Sequence, residues 1–428
     1  MITTLLTALA VQAAPSQIPS PPVSPTALRV QDMKAHIYFL ASDELEGRGT
    51  GSRGCYMASE YIAAHWRKLG LLPGNDGSYF HHFDVRNRSG ETLDARNTCA
   101  ILPGTDPALA EQYLVIGGHH DHAGLGDPLT GGMGSYGEIH NGADDNASGS
   151  SGVMELAEYF AANPLRHPIL FITFSAEEAG LLGSEAFVED KVIDPSKMVA
   201  MLNLDMIGRM SDDYLFVGGL GSGKELHGLL DPVFEGTKGF KFEFHDGGEA
   251  PSDNTNFYRA KVPALFFFTN IHENYHLPSD DAELINYEGA VRILHLAVDT
   301  MQALDQVDGK LTWVQQSYRE AQGMPSNFGE KMNKHFRRIM AKKNNLGKFG
   351  VRVGDSQSGG LIVSKVSEGS AAEEAGLKDG DILLIVNGRM LAERFDLRRA
   401  LAGLEKGTKI SAVYLRDGDR KSLDATLK

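Results

Sequence analysis

Four apolar runs constrain the first three hundred residues, and each ends in the same manner. "YLVIGGHHDH" (113–122), "HPILFITFSAEEAGLLGS" (167–184), "MVAMLNLDMIG" (198–208) and "VPALFFFTN" (262–270) are nearly continuous in apolar side chains, then break into glycine and polar residues. A strand that is apolar along its whole length is buried on both faces, as in a parallel sheet covered by helices. "SSGVMELAEYFAA" (150–162) places its apolar residues at helical spacing. Strands alternating with helices predict an α/β domain over residues 27–305, with a mixed, mainly parallel sheet sandwiched by helices. In such sheets ligands bind beyond the carboxyl ends of the strands. The chemically notable residues of this chain fall there.

In chain order these are His119, His120, Asp121 and His122; Asp144 and Asp145 in "NGADDNASGSSG" (141–152); Glu177 and Glu178; Asp205; and His272, His276, Asp280 and Asp281 in "NIHENYHLPSDD" (270–281). Each has a bland reading taken alone. Asp, Asn, Ser and Gly are turn residues, an acid pair favours a helix start, and an aspartate can cap a helix. Five such clusters at strand ends on one edge of one sheet are not explained that way. A buried group of four or five carboxylates without a cation repels itself. Mixed imidazole and carboxylate donors suit Zn²⁺, with Mn²⁺ or Co²⁺ as substitutes, whereas Ca²⁺ and Mg²⁺ favour all-oxygen sites. The donors outnumber what one tetrahedral zinc takes, so two metals sharing a bridging carboxylate are expected.

The net charge of −15 argues against a nucleic-acid partner, which needs a basic face. The two cysteines, Cys55 and Cys99, exclude a thiolate zinc site and leave a single disulfide or two buried thiols both open. The start, "MITTLLTALAVQAAPSQIPSPPVSP", predicts a signal peptide and disordered leader over 1–26, hence a periplasmic or secreted protein. No other segment has the long apolar run of a membrane span. Residues 306–345 are polar and basic and are expected to form a partly helical linker. Residues 346–428 are rich in strand formers and predict a small β domain with two helices.

The ordered motifs GGHHD, GADDNASG, EEAGLLGS, NLDM and YHLPSDD resemble those of the M28 family of co-catalytic zinc aminopeptidases, over about residues 27–305. The resemblance implies the zinc-exopeptidase fold, of phosphorylase/hydrolase-like type, and two Zn²⁺ per chain. His119 and Asp205 would hold one zinc, Glu178 and His276 the other, and Asp145 would bridge them. Asp144 would then support the turn, and Asp121 would orient His119. Glu177 looks like the general base, and Tyr275 either a donor to the oxyanion or a packing residue. His120, His122 and His272 stay outside the ligand set in this pattern. "PSDNTNF" (251–257) resembles a family segment near the substrate pocket and brings in Asp253.

The implied activity is hydrolysis of the N-terminal peptide bond of peptides with a free N-terminus. The rivals are a carboxypeptidase or dipeptidase of the same family, a glutaminyl cyclase-type enzyme with one zinc, and a non-catalytic scaffold carrying the C-terminal module. That module resembles a PDZ domain through "EGSAAEEAGLKDGDILLIVNG" (368–388). Its "GKFGVRVG" (347–354) would be the loop that captures the carboxylate of a C-terminal peptide ligand. Packing on the catalytic domain alone is the other reading.

Overall fold

In the computed structural model, which describes residues 27–86, 90–126, 132–133, 137–343, 348–355, 359–392 and 394–428, the apolar runs pair side by side. The expected leader, 1–26, lies outside the described residues. Nine strands form one sheet: β1 (Leu72–Pro73), β2 (Phe80–Arg86), β3 (Thr92–Leu102), β4 (Tyr113–His119), β5 (Ile169–Phe174), β6 (Met198–Leu204), β7 (Tyr214–Gly218), β8 (Lys241–Phe244) and β9 (Ala264–Phe268). Their order is β1-β3-β5-β4-β6-β9-β7-β8, with β2 also on β3. The centre, β5-β4-β6-β9, is parallel, while β2, β3 and the β7–β9 pairing are antiparallel. The register is what matters for the site. His119 sits opposite Phe174, the last residue of β5, and Gly117 opposite Asn203 of β6. The carboxyl ends of the central strands are therefore nearly flush, and Asp205 emerges level with His119.

Both faces of the sheet are covered, which is why its strands read as unbroken apolar runs. Leu114, Ile116, Phe171 and Leu202 point into a core shared with α1 (Val30–Leu40), α2 (Arg53–Leu69), α3 (Gly149–Ala162), α5 (Leu226–Gly236) and α7 (Tyr287–Leu304). The alternate residues Val115, Leu170, Ile172 and Met201 pack with Phe187 of α4 (Leu182–Glu189) and Phe257 of α6 (Asn254–Arg259). Local signals set the helix ends. Ser52 caps α2 by accepting from the Cys55 N–H at 3.2 Å, and Gly70 stops it in the left-handed conformation. Cys55 and Cys99 are both buried free thiols. No helix among the described residues is long and apolar enough to cross a membrane.

The segment expected as a linker is built into the first domain. It carries α8 (Tyr318–Ala321) and α9 (Phe328–Lys343). Trp313 and Ala321 join the apolar core around Phe257, and Phe328 and Met332 pack beside Phe266 and Phe268. The second helix does carry a helical repeat, with Phe328, Met332, His335 and Ile339 at i, i+4, i+7 and i+11, but the polar and basic residues around it make the segment read as a solvated connection.

The C-terminal part forms a separate antiparallel sheet. Its strands are β10 (Val351–Asp355), β11 (Leu361–Val366), β12 (Ile382–Val386), β13 (Arg389–Met390), β14 (Lys409–Arg416) and β15 (Asp419–Thr426), with helices α10 (Ala371–Glu374) and α11 (Arg394–Leu401). It has its own core, including Leu361, Val363, Leu383, Ile410 and Tyr414. β10 lies at the sheet edge. Arg399 of α11 pairs with Glu46 of the first domain at 2.9 Å.

Candidate metal centre

Four strand ends and one turn converge. β4 delivers His119, the turn after β5 delivers Glu177 and Glu178, Asp205 follows β6, and the loop after β9 brings His276. The fifth contributor is the irregular turn 143–148 that leads into α3 and carries Asp145. Its glycines are sterically required. Gly142 has φ 56°, and a Cβ there would overlap the Asp145 carbonyl and the His122 ring. At Gly149 a Cβ would overlap the Leu204 carbonyl, so only glycine lets α3 start this close to β6.

The donors fall into two groups that meet at Asp145. Asp145 Oδ1 lies 3.2 Å from His119 Nε2, and its Oδ2 lies 2.8 Å from His276 Nε2. Around His119, Asp205 Oδ1 is at 3.5 Å and Glu177 Oε2 at 3.8 Å. Around His276, Glu178 Oε2 is at 3.2 Å, and Glu178 Oε1 is 2.7 Å from His122 Nδ1. Two donors each about 2.0–2.1 Å from one tetrahedral ion sit roughly 3.3 Å apart, and these separations cluster round that value. Asp205 Oδ1 is buried with no hydrogen-bond partner among the described residues. A nitrogen and oxygen donor set of this composition, with an unsatisfied carboxylate oxygen, fits zinc.

The electrostatics show a site short of positive charge. Burial, with Glu178 and Asp205 nearby, holds the Glu177 carboxyl well above its usual range despite the His119 imidazole. Burial disfavours charge on His119, but Glu177 and Asp205 outweigh it and raise that imidazole well above its usual value. His276 is raised in the same way by Glu178 and Asp145. Burial would also raise Glu178, yet His276 and His122 hold it at about 2. Imidazolium protons take the place of cations here.

Several further residues build the site, and the first of them carried no signal in the sequence. Arg48, fully buried, donates from Nε to the His120 carbonyl at 2.8 Å and from its two terminal nitrogens to the carbonyls of Leu40, Asn141 (2.6 Å) and Gly142 (2.9 Å). It ties the strand carrying His119 to the turn carrying Asp145. Unlike Arg48, the next three residues lie inside motifs the sequence marks, which assign them no contact. Asn146 donates to the Leu204 carbonyl at 2.9 Å and accepts from the N–H groups of Gly149 and Met206. Asp280 Oδ2 accepts from the N–H groups of Asp144 and Asp145 at 3.0 and 3.1 Å. Ser252 donates to Asp205 Oδ2 at 2.7 Å.

Asp144 turns away from the donor groups and accepts from the Gly208 N–H at 2.6 Å, while its other oxygen lies 3.3 Å from His272 Nε2. Asp121 accepts from the Glu177 N–H at 3.1 Å and from Thr50 Oγ1 at 2.9 Å. Its carboxylate stands 3.7 Å from His119 Nδ1, and its own carbonyl is nearer at 3.2 Å. His120 is buried away from the donors, and burial lowers it to about 3. Tyr275 stacks on His276 with ring centres 3.9 Å apart. It lines a small cavity of about 40 Å³ over the donors, together with Met206, Phe266, Phe268, Met324 and Phe328. Burial beside Asp205 and Asp121 pushes Asp253 up to about 7.

A parallel-centred α/β sheet thus carries two adjacent imidazole–carboxylate groups at its carboxyl edge, each able to hold a metal ion. Residues 97–301 match Peptidase family M28 and residues 347–427 match the PDZ domain, so the chain contains an M28 peptidase domain followed by a PDZ domain. Among curated relatives, Aminopeptidase YwaD of Bacillus subtilis is 32% identical over 167 residues, 34% of each protein. The chain spans 34% to 60% of the length of the metallopeptidase relatives it matches. Among solved structures, the Legionella pneumophila LapA aminopeptidase aligns with a TM-score of 0.51 at 20% identity, covering 65% of this chain and 72% of that one. The Porphyromonas gingivalis glutaminyl cyclase aligns with a TM-score of 0.54 at 17% identity, covering 65% and 99%. These likenesses are of fold.

Proposed function

We propose that this protein is a metallo-exopeptidase that holds two zinc ions and removes the N-terminal residue of peptides. The observation that carries the reading is Asp145, whose two carboxylate oxygens each face a different imidazole. In this reading His119 and Asp205 hold one ion, Glu178 and His276 the other, and Asp145 both. When bound, such a pair supplies an activated water at neutral pH and polarises the scissile carbonyl. The chain's own residues do the rest. Glu177 accepts the proton of the attacking water and returns it to the departing amine. The Asp121 carboxylate fixes the Glu177 backbone for that task. The apolar wall of Met206, Phe266, Phe268 and Phe328 receives the side chain of the residue to be cleaved. Tyr275, stacked on His276, donates to the developing oxyanion in this reading. The leader and a periplasmic or secreted location belong to the same reading.

The fold likeness to a glutaminyl cyclase keeps that chemistry as the rival, and the second donor group distinguishes the two. Matched peptides with free and N-acetylated amino termini, assayed with added zinc, test the proposal. Cleavage confined to free-amine peptides is the expected result. Cleavage of blocked peptides, or a single bound zinc with cyclisation of N-terminal glutamine, would refute it. For the PDZ domain, the open edge of β10 beside α11 is proposed to take a C-terminal peptide as an added strand.

A further inference from the structure

A second cavity, of about 420 Å³, lies between α9 and the loop that carries Tyr275 and His276. It is lined by Arg209, Lys331, Lys334, His335 and Arg338, with Glu273 as the acid among the lining residues. In a chain of net charge −15 this gathering of cations is against the average. Their pairing within the protein is incomplete. Arg338 pairs with Glu273 at 3.1 Å. Arg209 donates to Asn274 Oδ1 at 3.2 Å, but its Nη1 is buried without a hydrogen bond and stands 4.0 Å from Asp280. Lys334 has no ion pair among the described residues. His335, 3% exposed and with its pKa lowered by burial, is a neutral wall residue, so the cations are the two arginines and two lysines.

Like charges converging on a cavity are unfavourable unless something answers them, and a buried donor left unpaired adds to that. An oxyanion answers both, since each of its oxygens accepts charge-assisted hydrogen bonds. The volume is in the range of small-molecule sites and exceeds what a monovalent ion needs. We propose that this cavity binds a small oxyanion carrying at least two negative charges, of the phosphate or dicarboxylate class. The site also has a structural handle on the metal centre. Lys331 Nζ donates to the Ile271 carbonyl at 3.2 Å and His335 Nε2 to the Tyr275 carbonyl at 2.8 Å. An anion drawn to Lys334 and Arg338 fastens α9 against the loop from which His276 projects.

The test is calorimetric titration of the full-length, zinc-loaded protein with inorganic phosphate and, separately, with succinate, at ionic strength matched with chloride. The comparison protein carries Lys334→Gln and Arg338→Gln, both exposed positions; Lys334→Gln alone serves if the pair does not fold. Saturable one-to-one binding is expected, weakened on the order of tenfold for each cation removed. Binding of phosphate alone assigns a phosphate ligand, and binding of succinate alone a dicarboxylate. Absence of saturable binding with both, or equal affinity in the variants, overturns the proposal; the latter places the anion on the zinc ions instead.

Discussion

Replacing Arg48 by methionine tests whether the ligand loops are held by one buried guanidinium. The side chain is fully buried and donates to four carbonyls, those of Leu40, His120, Asn141 and Gly142. Burial lowers its pKa, and Asp121, Asp145 and Asp280 are among the groups that oppose the shift. Methionine fills most of the volume but satisfies none of the carbonyls. Hydrogen bonds to charged groups contribute about 1.5–3 kcal/mol each, and they are not additive because the carbonyls relax and admit water. Loss of about 3–5 kcal/mol is expected, the range for breaking a buried ionic contact. That is a large part of the ~5–15 kcal/mol typical of a folded domain. Urea unfolding followed by tryptophan fluorescence reads it cleanly, because Trp66 and Trp313, the two tryptophans of the chain, both lie outside the PDZ domain. With a slope of about 2–3 kcal/mol per molar urea, the midpoint falls by about 1–2.5 M. Arg48→Lys recovers little, since an ammonium cannot reproduce the planar fork. A midpoint change equivalent to less than about 1 kcal/mol, typical of a neutral surface substitution, would refute the bracing role.

Glu177→Gln is expected to reduce turnover by roughly 10²–10⁴-fold while bound zinc, measured by elemental analysis, stays unchanged. Asp145→Ala removes the shared donor, and zinc content drops by more than one ion per chain. Phe328→Ala enlarges the apolar cavity and shifts relative kcat/KM toward bulkier N-terminal residues by about tenfold; an unchanged preference would place the side-chain pocket elsewhere. In zinc-free protein, Asp253 has its folded pKa raised to about 7, chiefly by burial. The folded state then binds the extra proton, so this group's stabilising contribution is complete below about pH 4 and is lost as pH rises toward 7. Asp253→Asn flattens that part of the stability profile; an identical slope in both proteins would contradict the assignment.

The central sheet and the gathering of acids and imidazoles at its edge were legible because each leaves a local mark. Residues 113–118 and 198–202 carry no charged or amide side chain, as a doubly covered strand requires, and the donors stand just beyond those runs. Gly142 and Gly149 were legible as turn residues, though their steric reason needs the neighbouring strand. What stayed hidden depends on contacts between distant segments. Arg48 is one arginine in an unremarkable "LEGRGT", and its role exists only where Leu40, His120 and Asn141 come together. Ser252 touches Asp205 across 47 residues of chain, with no spacing rule linking them. The stretch 306–345 reads as a linker because its polar, basic composition masks two lone anchors, Trp313 and Met324, and the narrow helical repeat of Phe328, Met332, His335 and Ile339.

That last difference bears on how the two domains work together. Phe328, the first residue of α9, lines the cavity over the metal donors, and His335, two turns on, holds the carbonyl of Tyr275. The same helix runs on toward the PDZ domain, whose Arg399 reaches Glu46. Glu46 belongs to the segment that holds Arg48, the brace of the ligand loops. The segment joining the domains is thus part of the wall of the site rather than a tether beside it. An ion pair as exposed as Arg399–Glu46 contributes about 0–1 kcal/mol, too little to hold the domains by itself. Arg399→Glu therefore leaves peptidase activity within about twofold if α9 alone sets the pocket wall. A larger loss of activity, with tryptophan-monitored stability unchanged, would show that the PDZ domain positions the wall through this contact.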